Sequence, residues 1–292
     1  MLRFATMLLF GLLAGAAQAF GPLEDPKGFD PASADLILDI RSPKDFAKGH
    51  VPGAVNTPYG LYRGPRDNPG RVPSTDTLQN MLRAAGAEAG QSVLVVHQGK
   101  NATDFGAAAR VYWTLKSLGF DQLAILNGGT DGWTAAGGAL STRARAVAPS
   151  QIEVAFSDAW MMDTDAVADV VQGTSEAVLL DARPLEFFEG RKKHGAAAAA
   201  GTLAGALNIV HSTWFGGDGP IMAAPEDMLT RIRAVAGENA DAPLVSFCNT
   251  GHWAATNWFA ASELAGVEGV KLYPESMVGW TKLGKAVVKG SN

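Results

Sequence analysis

Cysteine is scarce in this chain, with one residue among 292. An internal disulfide, a CxxC redox pair and a cysteine-rich zinc site each need more than one thiol, so all three are excluded. The five histidines show no spacing typical of metal ligands, and the glycines form neither a P-loop nor a dinucleotide fingerprint. We therefore expect no metal and no organic cofactor.

Charge is sparse as well. Charged residues make up 18% of the chain, and the formal net charge is −5. Because nucleic-acid binding needs a basic surface, this mildly acidic balance argues against a nucleic-acid partner. Hydrophobic residues make up 47%, which is enough for ordinary globular cores, and the length suits two domains of about 100–200 residues each.

Long apolar runs are absent beyond the N-terminus, so no later segment is predicted to span a membrane. Residues 1–19 combine a basic start at Arg3, an apolar run over residues 4–14 and the small-residue sequence Ala17-Gln18-Ala19. This pattern is typical of a secretory signal peptide, and the shortness of the apolar run disfavours the alternative, a retained anchor. We expect a cleaved signal peptide, a periplasmic or secreted protein, and no membrane contact after cleavage.

What the chain does contain is an internal repeat. Each half has, in the same order, an Asp-x-Arg sequence, a Gly-x-x-x-Gly-Ala-x-Asn sequence, an apolar strand and a closing tryptophan. The first set is Asp39-Ile40-Arg41, residues 49–56, Val93–Val96 and Trp133, and the second is Asp181-Ala182-Arg183, residues 201–208, Leu244–Phe247 and Trp280. Such duplication predicts two copies of one domain. We place them at residues 20–145 and 151–292, joined by a polar, proline-containing linker near residues 143–150.

Each half alternates short apolar strands with segments of helical period, which predicts an α/β fold with a mostly parallel sheet flanked by helices. Uninterrupted apolar runs such as Val93–Val96 suit strands that are buried on both faces. Helices are expected over residues 106–119 and 254–266, and short strands over residues 123–126 and 270–273. Ligands of open α/β sheets bind beyond the carboxyl ends of the strands, so the loops at residues 96–104 and 248–253 are the candidate sites.

The loop that contains Cys248 carries the candidate chemistry. Cys248 directly follows the strand Leu244–Phe247 and precedes a helix. Backbone N–H groups at a helix start lack intrahelical partners, and the helix dipole adds partial positive charge there, so a thiolate would be stabilised. Gly251 lets the loop N–H groups converge. This arrangement favours a nucleophile, and the alternative is a buried, inert thiol.

The ordered, duplicated motifs resemble the two-domain rhodanese family of sulfurtransferases over nearly the whole chain after residue 19. The resemblance implies tandem rhodanese-like domains, a catalytic C-terminal copy, a degenerate N-terminal copy, and a persulfide formed on Cys248. The first copy has His97 where the second has Cys248, and its loop is about three residues longer. Without a thiol, the first copy is expected to be catalytically inactive.

The residues after Cys248 depart from the family pattern. Family members that use thiosulfate typically have basic residues there, and those that use mercaptopyruvate have small ones, whereas this chain has Asn249 and Thr250. The donor therefore stays open, with thiosulfate favoured over mercaptopyruvate. Because the loop offers no cation, we expect thiosulfate to bind weakly.

Several other residues are candidates for the substrate site, each with a structural alternative. Arg183 either holds an anionic donor or pairs with Asp181 or Glu186. His252 either hydrogen-bonds the substrate or changes charge near neutral pH, and the structural alternative is a spacer. Trp253 is either a pocket wall or a core residue. The basic cluster Arg191, Lys192 and Lys193 either steers anions or is simply solvated. The predicted site thus comprises Cys248 as nucleophile with Asn249, Thr250, Gly251, His252, Trp253 and Arg183 as binding residues.

The favoured function is an exported sulfurtransferase that takes sulfur from a small donor such as thiosulfate. The persulfide would pass its sulfur to a thiol, to cyanide or to a protein acceptor. The alternative is a non-enzymatic sulfur carrier or partner-binding module. A cysteine phosphatase has the same kind of loop but needs an arginine six residues after the cysteine, and that position is Ala254.

Overall fold

The computed structural model describes residues 20–216, 220–222, 228–237 and 242–291. The predicted signal peptide, residues 1–19, lies outside the described residues. Among those described, no helix is long and apolar enough to cross a membrane.

The first half forms a five-stranded sheet in the order β1-β5-β4-β2-β3, with every paired strand parallel. Its strands are β1 (Leu23–Glu24), β2 (Leu36–Asp39), β3 (Ala54–Asn56), β4 (Val93–Val96) and β5 (Leu123–Leu126). Its α-helices are α1 (Pro43–Lys48), α2 (Thr75–Ala84), α3 (Ala102–Ser117) and α4 (Gly129–Ala135). A 3₁₀ turn, Tyr59–Tyr62, follows β3.

The second half forms a four-stranded parallel sheet in the order β7-β6-β8-β9. Its strands are β6 (Val178–Asp181), β7 (Leu207–Asn208), β8 (Leu244–Phe247) and β9 (Lys271–Leu272), and its α-helices are α5 (Thr164–Gln172), α6 (Leu185–Phe188), α7 (Met228–Ala236), α8 (Trp253–Phe259) and α9 (Ser276–Lys282). This order matches β3-β2-β4-β5 of the first sheet. The predicted α/β fold with two copies of a mostly parallel sheet is confirmed, while the exact domain ends stay a prediction.

Helix α3 begins four residues before its predicted start, because the Asn101 side chain accepts a hydrogen bond from the Asp104 N–H and caps the helix. The predicted helix at 254–266 begins at Trp253 and changes to a π-helix over Ala260–Leu264. Propensity and apolar period do not reveal such a change of hydrogen-bond pattern, which often marks functional regions.

The Asp-x-Arg sequence has the same structural role in both copies. Arg41 and Arg183 each donate from Nε to both carboxylate oxygens of the aspartate two residues earlier, and from Nη2 to a glycine carbonyl, that of Gly49 or Gly201. Arg183 is 1% exposed. A buried guanidinium needs a counter-charge and hydrogen-bond acceptors, and these bonds supply both. A structural role is therefore sufficient to explain the Asp-x-Arg motif.

The two domains pack together through α3 and α8. The ring centroids of Phe105 and Tyr112 on α3 lie 5.7 Å and 5.0 Å from that of Phe259 on α8. Lys116 and the Tyr112 hydroxyl both reach Glu263 on the π-helix, at 2.8 Å and 2.7 Å. Twelve residues of α3 are buried, so this helix is a core element of the whole molecule and not a surface helix of its own domain.

His252 also joins the domains. Its Nδ1 lies 2.8 Å from the Tyr59 hydroxyl and its Nε2 2.6 Å from the Thr103 carbonyl oxygen. Because a carbonyl only accepts, Nε2 carries the proton and Nδ1 accepts from Tyr59. Burial and the positive charge of Arg63 lower the pKa of His252 to about 3. The predicted charge change of His252 near neutral pH is therefore wrong, because the ring is neutral throughout that range.

We expect His252 to make the folded protein more sensitive to acid. The unfolded ring binds a proton near pH ~6.5 whereas the folded ring does not, so stability is lost as the pH falls below that value. Between pH ~7.5 and ~5.5 His252 should lower the free energy of unfolding of the wild type by about 1 kcal/mol. Over the same interval His252→Gln should lose about 1 kcal/mol less stability than the wild type. Urea unfolding of both proteins at the two pH values measures the difference. Equal pH dependence in the two proteins would contradict the assignment of a neutral ring.

Candidate active site

Cys248 lies at the carboxyl end of β8, between the strand and α8. Its side chain is 1% exposed and lines a cavity of about 210 Å³. The cavity wall also contains Asn249, Thr250, His252 and Trp253 from the same loop, His194 from the same domain, and Arg63 and Thr103 from the first domain. The candidate site is therefore lined by residues of both copies, so the first copy contributes to the cavity although it has no thiol.

The hydroxyl of Ser276 holds the Cys248 loop in place. Its hydroxyl accepts hydrogen bonds from the backbone N–H groups of Cys248 and Gly251, at 3.0 Å and 3.1 Å, and donates to the Tyr273 carbonyl at 2.8 Å. Ser276 has a φ of 52°, a conformation that costs a non-glycine residue about 1–3 kcal/mol. The three hydrogen bonds of its hydroxyl offset that cost.

Gly251 is required for two separate reasons. Its φ is +65°, which favours glycine, and a Cβ there would collide with the Arg110 guanidinium and the Pro274 carbonyl. Several loop N–H groups, among them those of Asn249 and Thr250, have no acceptor among the described residues. They are the N–H groups available to an anion on the cysteine sulfur or on a substrate.

The corresponding loop of the first copy binds a carboxylate through its backbone N–H groups. There the Asp104 carboxylate accepts from the N–H groups of Gly99 and Lys100, at 2.5 Å and 3.1 Å, and pairs with His97 Nδ1 at 2.9 Å. Burial opposes ionisation of this carboxyl, but these hydrogen bonds prevail and lower its pKa to about 2. In the first copy an internal carboxylate thus binds to the loop N–H groups that follow the strand.

Two arginines of the first domain reach the Cys248 loop. Arg63 donates from Nη2 to the Thr250 carbonyl at 2.8 Å, and its Nη1 is buried without a partner among the described residues. Arg110 is fully buried and donates to the carbonyls of Gly251 and Gly70, at 3.3 Å and 3.0 Å. Burial and the charge of Arg63 lower the pKa of Arg110 to about 9, so it stays charged at neutral pH.

Some of the other predicted binding residues line the cavity and others do not. Trp253 is a wall of the cavity, stacked on His211 at 4.7 Å with its Nε1 donating to Thr103 Oγ1. Asn249 is buried, and its Oδ1 has no partner in the described part of the chain. Arg183 is not among the residues that line the cavity. Its Nε and Nη2 donate to Asp181 and Gly201, so its placement supports the structural alternative.

The basic cluster of Arg191, Lys192 and Lys193 is also not part of the cavity lining. Arg191 pairs with Glu189, Lys192 pairs with Glu186, and Lys193 donates to the Ala197 carbonyl. The next residue, His194, does line the cavity. The sequence interpretation missed Arg63, Thr103 and His194, because no motif marks them and their proximity to Cys248 depends on domain packing. The ten additional residues before Gly201 were the one available signal for His194.

Chemically, the arrangement combines a thiol, unpaired backbone N–H groups and a cation. It can bind an anion beside a sulfur nucleophile. Within the described ranges, no cluster of three or more His, Cys, Asp or Glu side chains could hold a metal ion.

Comparison with known proteins agrees with this architecture. The rhodanese-like domain family matches residues 24–136 and 164–283. The thiosulfate sulfurtransferase of Azotobacter vinelandii is 27% identical over 248 residues, covering 84% of this chain and 87% of that protein. The 3-mercaptopyruvate sulfurtransferase of Escherichia coli K12 is 27% identical over 241 residues, covering 81% and 82%.

Solved structures share the fold. SseA from Escherichia coli, a 3-mercaptopyruvate sulfotransferase by its description, superposes with a TM-score of 0.70 at 22% identity, covering 82% of this chain and 92% of that chain. An anaerobic ergothioneine biosynthesis enzyme from Chlorobium limicola superposes with a TM-score of 0.72 at 21% identity over 91% of this chain. This chain spans 66% of that enzyme, just under two thirds of its length. The two family matches together cover most of the sequence, and the chain therefore belongs to the rhodanese-like family, with two copies of its domain and with sulfurtransferases among its relatives.

Proposed function

We propose that this chain transfers sulfane sulfur from thiosulfate to a nucleophilic acceptor through a persulfide on Cys248. The observation that carries the proposal is the shared cavity, whose lining includes both the only thiol of the chain and Arg63, a cation whose Nη1 has no partner among the described residues. A nucleophile next to an anion-binding group suits a donor that is itself an anion.

In the first half-reaction the Cys248 thiolate attacks the outer sulfur of thiosulfate. A new sulfur–sulfur bond forms on the cysteine, the sulfur–sulfur bond of thiosulfate breaks, and sulfite leaves with its electron pair. The persulfide anion then accepts hydrogen bonds from the N–H groups of Asn249 and Thr250. Such preoriented donors stabilise the charge without reorganisation.

In the second half-reaction an acceptor removes the outer sulfur. Cyanide or a thiolate attacks it, the persulfide bond breaks, and the Cys248 thiolate is restored as thiocyanate or an acceptor persulfide departs. Since the chain has no second cysteine, no internal thiol can resolve the persulfide, and the acceptor comes from outside.

The charge of the cavity favours thiosulfate over two alternatives. Thiosulfate carries two negative charges and mercaptopyruvate one, so Arg63 attracts thiosulfate more strongly. The trimethylated histidine bound by the Chlorobium enzyme carries a permanent positive charge, and the residues that line this cavity include Arg63 and no carboxylate. The described lining residues thus offer no carboxylate to pair with a quaternary ammonium group, which disfavours a substrate that presents one.

Cys248→Ser should fold normally but lose sulfur transfer completely, because an alcohol cannot form the persulfide. Mass spectrometry after thiosulfate treatment should show one added sulfur on Cys248 of the wild type and none on the variant. Thiocyanate production from thiosulfate and cyanide gives the turnover. An adduct without turnover under any acceptor would instead favour the carrier alternative, and activity retained in Cys248→Ser would overturn the mechanism.

Arg63→Gln should raise the thiosulfate KM about tenfold or more, because a charge-assisted bond to an anion contributes about 1.5–3 kcal/mol. Its KM should also become less sensitive to salt. Arg66→Gln is the matched control, since Arg66 is exposed three positions away and is not a lining residue. Equal effects of the two substitutions would show that Arg63 acts only through net charge.

We also propose that residues 1–19 direct export and are removed before Phe20. The basic start, the apolar run and the small residues before Phe20 support this proposal. Expression of the full chain in a Gram-negative host should give a mature protein in the periplasmic fraction whose first residue is Phe20. A variant with Arg in place of Leu8 and Leu9 should stay in the cytoplasm with Met1 or Leu2 as its first residue. A wild-type chain with its N-terminus intact in the cytoplasm would contradict the proposal.

A further inference from the structure

His194 lies on a segment that only the second copy has. In both copies a buried arginine donates to a glycine carbonyl, but Arg183 and Gly201 are separated by 18 positions and Arg41 and Gly49 by 8. The ten additional residues form the segment 191–200, and they bring His194 to the cavity that Cys248 lines.

The segment is fixed at several points. Ala197 is buried, its N–H donates to the His194 carbonyl at 2.9 Å, and its own carbonyl accepts from Lys193 Nζ at 2.6 Å. The N–H of Ala198 donates to Thr281 Oγ1 on α9 at 3.0 Å. These bonds on both sides of His194 fix its backbone beside the cavity.

The hydrogen bonds of His194 determine which ring nitrogen carries the proton. The N–H of Ala196 donates to His194 Nδ1 at 3.2 Å, so Nδ1 is an acceptor and the neutral ring carries its proton on Nε2. That Nε2–H has no acceptor among the described residues. Burial, Arg63 and Lys193 all lower the pKa of His194, so the ring is a neutral donor at neutral pH.

The other ring N–H groups of the cavity are already used. His252 donates its Nε2–H to the Thr103 carbonyl, and Trp253 donates its Nε1–H to the Thr103 hydroxyl. His194 therefore supplies the one ring N–H of the described cavity lining that a substrate can accept from. The unpaired Nη1 of Arg63 belongs to the same wall.

We infer that His194 is a specificity-determining residue, which donates its Nε2–H to an oxygen of the sulfonate group of thiosulfate while Cys248 attacks the outer sulfur. The inference rests on the proposed sulfur-transfer function. His194 and Arg63 together would replace the loop cations that Asn249 and Thr250 do not provide. A donor made of sulfur alone has no oxygen for this bond, so His194 selects for the oxyanion.

Kinetics of His194→Phe and His194→Gln test this role. Phe keeps an aromatic ring without an N–H, and it should raise the KM for thiosulfate about tenfold or more. Gln retains an N–H donor and should recover part of that loss. Inorganic polysulfide, an oxygen-free donor, should be used equally by the wild type and both variants. Lys192→Gln is the control on the same segment, since Lys192 is exposed and pairs with Glu186 outside the cavity.

Three outcomes separate the two proposals. Loss of thiosulfate use with polysulfide use intact supports the His194 assignment. If the wild type forms the Cys248 persulfide and His194→Phe leaves the thiosulfate KM unchanged, or raises the KM for both donors alike, the His194 assignment is wrong and the proposed function stands. If no donor adds sulfur to the wild type, the proposed function itself fails.

Discussion

The packing of α3 against α8 determines which first-domain groups reach the candidate site. It sets the first-domain side chains against the loop that precedes α8, so that Arg63 reaches the Thr250 carbonyl and Tyr59 reaches His252. Domain interfaces are common places for small-molecule sites, because neither surface alone is concave. The first copy has no thiol, yet it supplies one wall of the cavity and, in Arg63, a charge of the described lining.

Duplication allows the effect of single residues on the loop to be compared within one molecule. Gly129 and Ser276 occupy matching places, with φ values of 57° and 52°, three residues after β5 and four residues after β9. In the first copy a Cβ on Gly129 would collide with the His97 carbonyl, so only glycine fits. In the second copy the side chain is accommodated, and its hydroxyl orders the Cys248 loop. The same backbone turn therefore closes the thiol-free loop in one domain and fixes the Cys248 loop in the other.

The sequence was sufficient for the features that depend on local pattern. Apolar runs of four residues predicted β4 and β8, and the repeat predicted two sheets of matching order. The thiol at a strand end, and the loop around it, also followed from these patterns. The groups that were missed depend on contacts far apart in sequence: 187 positions separate Arg63 from Thr250, and 193 separate Tyr59 from His252. The error for His252 has the same origin, because its neutral state results from burial by the other domain.

The electrostatic environment of the Cys248 loop also depends on residues from both domains. The sequence suggested a neutral loop that binds thiosulfate weakly, yet Arg63 and Arg110 bring two positive charges to the loop carbonyls. Arg110 is buried and pairs with no carboxylate of the described ranges, and a buried unpaired charge is costly. The Gly251 and Gly70 carbonyls and the Trp113 ring, 4.8 Å from the guanidinium carbon, offset part of that cost. A negative charge on the Cys248 sulfur favours the charged form of Arg110. Because Arg110 donates to the Gly251 carbonyl and Arg63 to the Thr250 carbonyl, the positive charges beside the loop of the proposed persulfide come from the first domain, so the thiol and its electrostatic environment belong to different copies.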